Sequence, residues 1–179
     1  MRWWTVLPVA MAAVCVSVPA SAAQEAAEAA CPNGRTDIPA EWAGWDKARP
    51  LTAVAAHEGD QGDPDAAFAV GQAVDLKLRP DAEVTHAKPP KAADGASSFG
   101  GLALVHIARA GRYSVGLGGP TWVDLTRDGK PTESIAHGHG PACSPIRKAV
   151  AFDLAPGDYV VDLSGNKTAD IRLMITEGG

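Results

Sequence analysis

The chain has 179 residues, 46% of them hydrophobic, and a formal net charge of −5, which fits one domain with a sizeable core. Without its first 22 residues it loses Arg2 and no acid, so fifteen Lys and Arg stand against twenty-one Asp and Glu, a net charge of −6. An acidic chain with no basic tract repels phosphate backbones and anionic lipid, which excludes nucleic acid and membrane surfaces as partners.

Residues 1–22 combine Arg2, an apolar run from Trp3 to Val18 and the small-residue site Ala20-Ser21-Ala22. This predicts a secretory signal peptide and a periplasmic or secreted protein. The apolar run is short for a membrane span, is interrupted by Pro8 and is followed by no basic stop. A lipoprotein is not indicated either, because Val14 precedes Cys15 and Cys31 lies beyond the apolar run. Signal removal leaves Cys31 and Cys143, and an even pair in an oxidising compartment predicts one disulfide. By chain entropy, closing so long a loop stabilises the fold by about 4–5 kcal/mol. The alternative is a Cys143 thiolate beside His137 and His139, with Cys31 unpaired.

Residues 23–36 form a flexible leader carrying the first of these cysteines, and residues 37–179 form a single domain. Asp37, Pro39, Trp42 and Trp45 predict one short helix with two indoles on a shared face, plugging one end of the core or offering a stacking platform. Residues 51–56 read as a strand, followed by a loop over residues 57–65 whose Asp60, Asp63 and Asp65 do not have calcium-loop spacing. Val74, Leu76 and Leu78 alternate with Asp75, Lys77 and Arg79, a half-buried strand stopped by Pro80. Residues 82–86 add a short strand, residues 87–98 a loop, and residues 102–108 a central strand with His106 packed or at its rim.

A repeat follows. Gly111-Arg112-Tyr113-Ser114-Val115-Gly116-Leu117 and Gly157-Asp158-Tyr159-Val160-Val161-Asp162-Leu163 share the pattern Gly-x-Tyr-x-Val-x-Leu. Each follows an apolar strand and a short turn, so residues 102–117 and 150–163 read as two β-hairpins. Between them, residues 122–125 read as a strand, Asp128-Gly129 as a tight turn and residues 133–136 as the return strand. Alternation of Ile171, Leu173 and Ile175 supplies a closing strand. About eight or nine short strands with little helix predict an all-β fold, an antiparallel β-sandwich of jelly-roll type.

The chain resembles a group of small exported bacterial proteins. The resemblance is carried by Glu41-Trp42 to Trp45, Ala110-Gly111-Arg112-Tyr113, Thr121-Trp122-Val123-Asp124, the His137 to Cys143 loop, Ile146-Arg147-Lys148-Ala149-Val150-Ala151-Phe152 and Pro156-Gly157-Asp158-Tyr159. It covers nearly all the mature chain and implies no particular activity. Some members carry the name homogentisate 1,2-dioxygenase, which implies a cupin whose iron is held by two histidines and a glutamate. Here His137 and His139 supply a His-x-His, but Cys143 and Ser144 stand where the glutamate belongs, and no histidine follows His139. The later half is similar to the bacterial pre-peptidase C-terminal domain in its paired strand-turn-Gly-x-Tyr units.

The chemistry that remains is sparse. No Gly-x-Ser-x-Gly elbow is present. His137 and His139, with Cys143 near, suit copper or zinc, although the pattern supplies no defined third ligand. Trp42, Trp45 and Trp122 are the aromatics not claimed by strand alternation and so the candidates for ligand stacking. The sequence therefore predicts an exported, non-catalytic binding or accessory protein without a cofactor, its partner a protein, glycan or small molecule. The alternatives are a periplasmic metal-binding protein using the His-x-His loop, and a metal-dependent dioxygenase.

Overall fold

The computed structural model describes residue 31 and residues 38–56, 64–89 and 98–178. The signal segment, the leader apart from Cys31, Asp60 and Asp63, and residues 90–97 of the second loop lie outside the described residues.

Among the described residues, twelve strands form two facing mixed sheets. The first half of the chain supplies β1 (Arg49–Thr52), β2 (Ala67–Phe68), β3 (Val74–Lys77), β4 (Arg79–Pro80), β5 (Phe99–Ile107) and β6 (Gly111–Leu117). The second supplies β7 (Trp122–Arg127), β8 (Lys130–Thr132), β9 (Ser134–Gly138), β10 (Lys148–Leu154), β11 (Gly157–Asn166) and β12 (Asp170–Glu177). One sheet has the order β1-β3-β12-β6-β10-β9, and the other has β2-β5-β11-β7-β8 with β4 also on β5. We call them sheet A and sheet B. The all-β sandwich expected from the sequence is present, with more strands than expected because β2, β4 and β8 are only two or three residues long. Two pairs, β1 with β3 and β2 with β5, run parallel, so the sheets are not purely antiparallel.

Period-two alternation fixes which side chains enter the core. Sheet A contributes Val74, Leu76, Val115, Leu117, Leu173 and Ile175, and sheet B contributes Val105, Ile107, Leu125, Val161 and Leu163; each is at most 1% exposed. A second, smaller cluster covers the outer face of sheet A, where Trp42, Trp45, Ala73, Ile146 and Met174 pack together. The two indoles meet edge to face, with ring centroids 6.4 Å apart. They therefore roof sheet A instead of plugging an end of the core. The expected N-terminal helix is two single 3-10 turns, Ala40–Trp42 and Trp45–Lys47, separated by Ala43 and Gly44. At Gly44 a Cβ would lie 2.4 Å from the Gly71 carbonyl oxygen. Gly116 on β6 gives the Trp42 ring its room, since a Cβ there would approach that ring to 2.4 Å.

The two Gly-x-Tyr units are not hairpins. β5 pairs with β11 from Gly157↔Ile107 to Leu163↔Gly101, and β6 pairs with β10 from Lys148↔Leu117 to Leu154↔Gly111. Each short connection crosses from one sheet to the other, so the arches β5–β6 and β10–β11 exchange partners about an approximate twofold relation. Alternation dictates the face a strand buries but not its neighbour, which is why both arrangements suit the same pattern. The tyrosines close the corners. Tyr113 donates its hydroxyl to the Arg109 carbonyl at 2.9 Å, and Tyr159 donates to the Ala155 carbonyl at 3.1 Å, each four residues upstream. This resembles the tyrosine corner known in other sandwiches.

Other expectations shift by local chemistry. Residues 82–86 are not a strand, because Asp81–Glu83 form a 3-10 turn after Pro80 and the chain then crosses the outer face of sheet B. The Asp128-Gly129 turn is present, with φ of 52° and 69°, as a two-residue hairpin of the type I′ class requires. Its return strand is β8, whereas β9 has already passed to the far edge of sheet A. The strand expected at residues 51–56 begins two residues earlier, at Arg49.

Candidate functional site

Three groups of chemistry-bearing side chains stand out: a buried charged cluster on sheet B, the loop-lined end beside Trp122, and the histidines of β9.

The buried cluster is built where the segment after β4 crosses the outer face of sheet B. His86, with 3% of its side chain exposed, lies between two carboxylates: Nδ1 is 2.6 Å from Asp162 Oδ1, and Nε2 is 3.4 Å from Asp81 Oδ1. The second Asp162 oxygen accepts the Ala87 N–H at 2.9 Å. On Asp81, Oδ2 accepts the Ser98 hydroxyl at 2.6 Å and the Gly165 N–H at 3.0 Å. Gly100 makes this approach possible, because a Cβ there would fall 2.2 Å from Asp81 Oδ1. Burial pushes the Asp162 carboxyl above the usual carboxylate range, and the hydrogen bonds from His86 and Ala87 pull it partly back. Above the cluster Lys88 donates to Asp124 at 2.8 Å. These groups pin residues 81–88 to the sheet and present no imidazole to solvent. Sequence reading did not single them out. The one signal was Asp162, an acid set within the apolar run Tyr159-Val160-Val161-Asp162-Leu163; nothing around His86 marks it.

The loop end is formed by the β6–β7 and β11–β12 connections and by Pro145. They line an open groove of about 440 Å³, together with Trp45, Asn166, Lys167, Asp170 and Arg172. Asn166 ties the two loops together by accepting the Thr121 hydroxyl and donating to the Thr168 carbonyl at 2.7 Å. Arg172 grips Asp75 through two bonds of 2.7 and 2.8 Å and reaches the Trp45 carbonyl. Next to this groove in the chain stands Trp122, 47% exposed, with the Lys148 ammonium 4.9 Å from its ring centroid. Lys148 also donates to the Thr121 carbonyl at 2.7 Å. Its pKa is held down by desolvation, partly offset by Asp124. Trp42 and Trp45, 4% and 1% exposed, offer no stacking face; of the three candidate indoles only Trp122 does.

His137 lies on β9 opposite Val150, and His139 follows the strand by one residue; both are exposed. Cys143 does not join them. Its sulfur lies 2.09 Å from that of Cys31, at disulfide distance, which removes the thiolate alternative. Among the described residues no three of His, Cys, Asp and Glu gather as a metal-holding group. Among the described residues, His137 and His139 are two residues apart in the chain with no third ligand grouped with them. His106, expected to be packed or at a strand rim, is at the rim, with Nδ1 2.7 Å from Asp158 on the neighbouring strand.

No helix among the described residues is long and apolar enough to cross a membrane. Comparison with known proteins finds no matching family model, no matching curated protein and no matching solved structure.

Proposed function

We propose that this is an exported, non-catalytic binding module of the periplasm or cell exterior, which holds a small polar or glycan ligand at its loop end. One observation carries the reading: the exposed Trp122 indole has the partly desolvated Lys148 ammonium 4.9 Å from its ring centroid, two residues along the chain from Pro120 in a groove lined by loop residues. Carbohydrate and small-ligand sites combine an aromatic face with a few fixed polar groups in this way. The non-catalytic part rests on the buried cluster. Its imidazole has the carboxylate partner that general-base catalysis uses, but it is sealed beneath residues 81–88 and out of reach of a substrate.

The test is a titration of the mature protein with neutral and acidic oligosaccharides, followed by tryptophan fluorescence. A saturable change in the wild type that is lost in Trp122→Ala, with thermal unfolding unchanged, is the expected result. A response preserved in Trp122→Ala places the ligand elsewhere. Oxygen uptake on homogentisate with added iron(II), abolished in His137→Ala, would replace the binding reading with the dioxygenase one.

A further inference from the structure

The edges of the two sheets are not treated alike. β1 carries Arg49-Pro50, β4 carries Arg79-Pro80 and β8 carries Lys130-Pro131, so each has a cation followed by a residue that cannot donate to another strand, while β2, which ends sheet B, is only the two residues Ala67–Phe68. Charged residues and proline on an edge discourage pairing with another chain. β9, which ends sheet A, has neither: its sequence is Ser134-Ile135-Ala136-His137-Gly138, and all five residues are exposed. One irregularity limits its pairing surface. The register against β10 shifts between Ala136↔Ala151 and Ser134↔Phe152, leaving Ile135 as an extra residue. The regular edge therefore runs from Ala136 to Gly138, with His137 on it and His139 one residue beyond its end.

We propose that β9 is a metal-dependent dimerisation edge, on which two copies of this chain pair antiparallel and share one late first-row divalent ion, such as zinc, between the His137 and His139 pairs. With the twofold axis at Gly138, His137 of each copy faces His139 of the other. Pairing would continue the extended chain one residue past β9, and residues two apart on an extended chain point to one side, so all four imidazoles would occupy one face of the joined sheet. Directly opposed residues in an antiparallel pair have Cβ atoms about 5 Å apart, within reach of a common ion at the roughly 2 Å of a zinc–imidazole bond. The second copy supplies two further ligands, which the described residues of one chain do not bring to the pair. Lys148, next on that side of β10, has its ammonium committed to the Thr121 carbonyl and the Trp122 ring. A strand pair of about five residues falls well short of the roughly 1,000 Å² that stable interfaces bury, so the metal is needed and the apo-protein is a monomer. The inference does not rest on the ligand groove.

The test is sedimentation of the mature, tag-free protein with zinc added from zero to two equivalents, alongside a direct zinc titration. The expected result is a twofold rise in mass that saturates at half an equivalent per chain and is reversed by EDTA. His137→Ala and His139→Ala should each remain monomeric. Gly138→Lys keeps both ligands and meets open space in the single chain, where a Cβ has nothing within 4 Å. In the dimer it sets two ammonium groups face to face, so it too should remain monomeric. A monomer at every zinc concentration, one zinc per monomer, a dimer indifferent to His139→Ala, or a Gly138→Lys dimer as tight as the wild type would each overturn the proposal.

Discussion

His86 is held by two carboxylates under a strap of chain, and the strap depends on it. Asp162→Ala would leave the imidazole Nδ1 and the Ala87 N–H without their acceptor in a buried setting, at a cost of about 3 kcal/mol or more. Urea unfolding of this variant should show the lowered midpoint. Two carboxylates then set opposite pH slopes. Because the folded pKa of Asp162 is raised, chiefly by burial, its contribution is complete below the ordinary carboxylate pKa and is lost as pH rises through the higher folded value. Asp75 is lowered, chiefly by its hydrogen bonds from Arg172, so its contribution is complete above the ordinary value and is lost as pH falls through the lower one. That exposed pair is worth less than about 1 kcal/mol. In a series of urea midpoints from about pH 3 to pH 8, Asp75→Asn should shrink the acid-side loss, and Asp162→Asn should shrink the decline above the carboxylate range.

At the scale of elements, the two arches carry the fold. Tyr113→Phe and Tyr159→Phe each remove a hydroxyl that closes a corner, and each should cost about 1 kcal/mol, read from equilibrium unfolding. Alternation made Val74, Leu76, Val115, Leu117, Leu173 and Ile175 legible as core residues, and the turn chemistry of Asp128-Gly129 made one hairpin legible. The arches were not, because a Gly-x-Tyr start after a two- or three-residue connection suits a hairpin and a sheet-crossing corner equally. Only the tyrosine hydroxyl distinguishes them, and its acceptor is a carbonyl that no side-chain pattern marks. The site was legible where it depended on residue type, as with Trp122 and the His137–His139 pair. It was hidden where it depended on distant segments meeting, as with Asp81, His86 and Asp162.

For the whole molecule, the link between Cys31 and Cys143 spans 112 residues and fastens the start of the domain to the loop that follows β9. Removing it in Cys143→Ser should lower stability by about 4–5 kcal/mol, with urea unfolding of reduced wild type giving a matching value. The structure of the two sheets should persist, since both tryptophans of the roof remain packed on sheet A through Ala73, Ile146 and Met174. Circular dichroism in the strand region checks that outcome.

The position of β12 has a consequence for how the chain comes into being. β12 follows the other eleven strands in the chain yet is an inner one, paired with β3 on one side and with β6 on the other. A nascent chain that ends before Asp170 has no partner to join those two strands, so sheet A is split until β12 has been made. Folding of sheet A therefore waits for β12, as expected of a topology built on distant pairings. For the exported protein proposed above, that delay keeps the newly made chain threadable while it passes through a translocation pore.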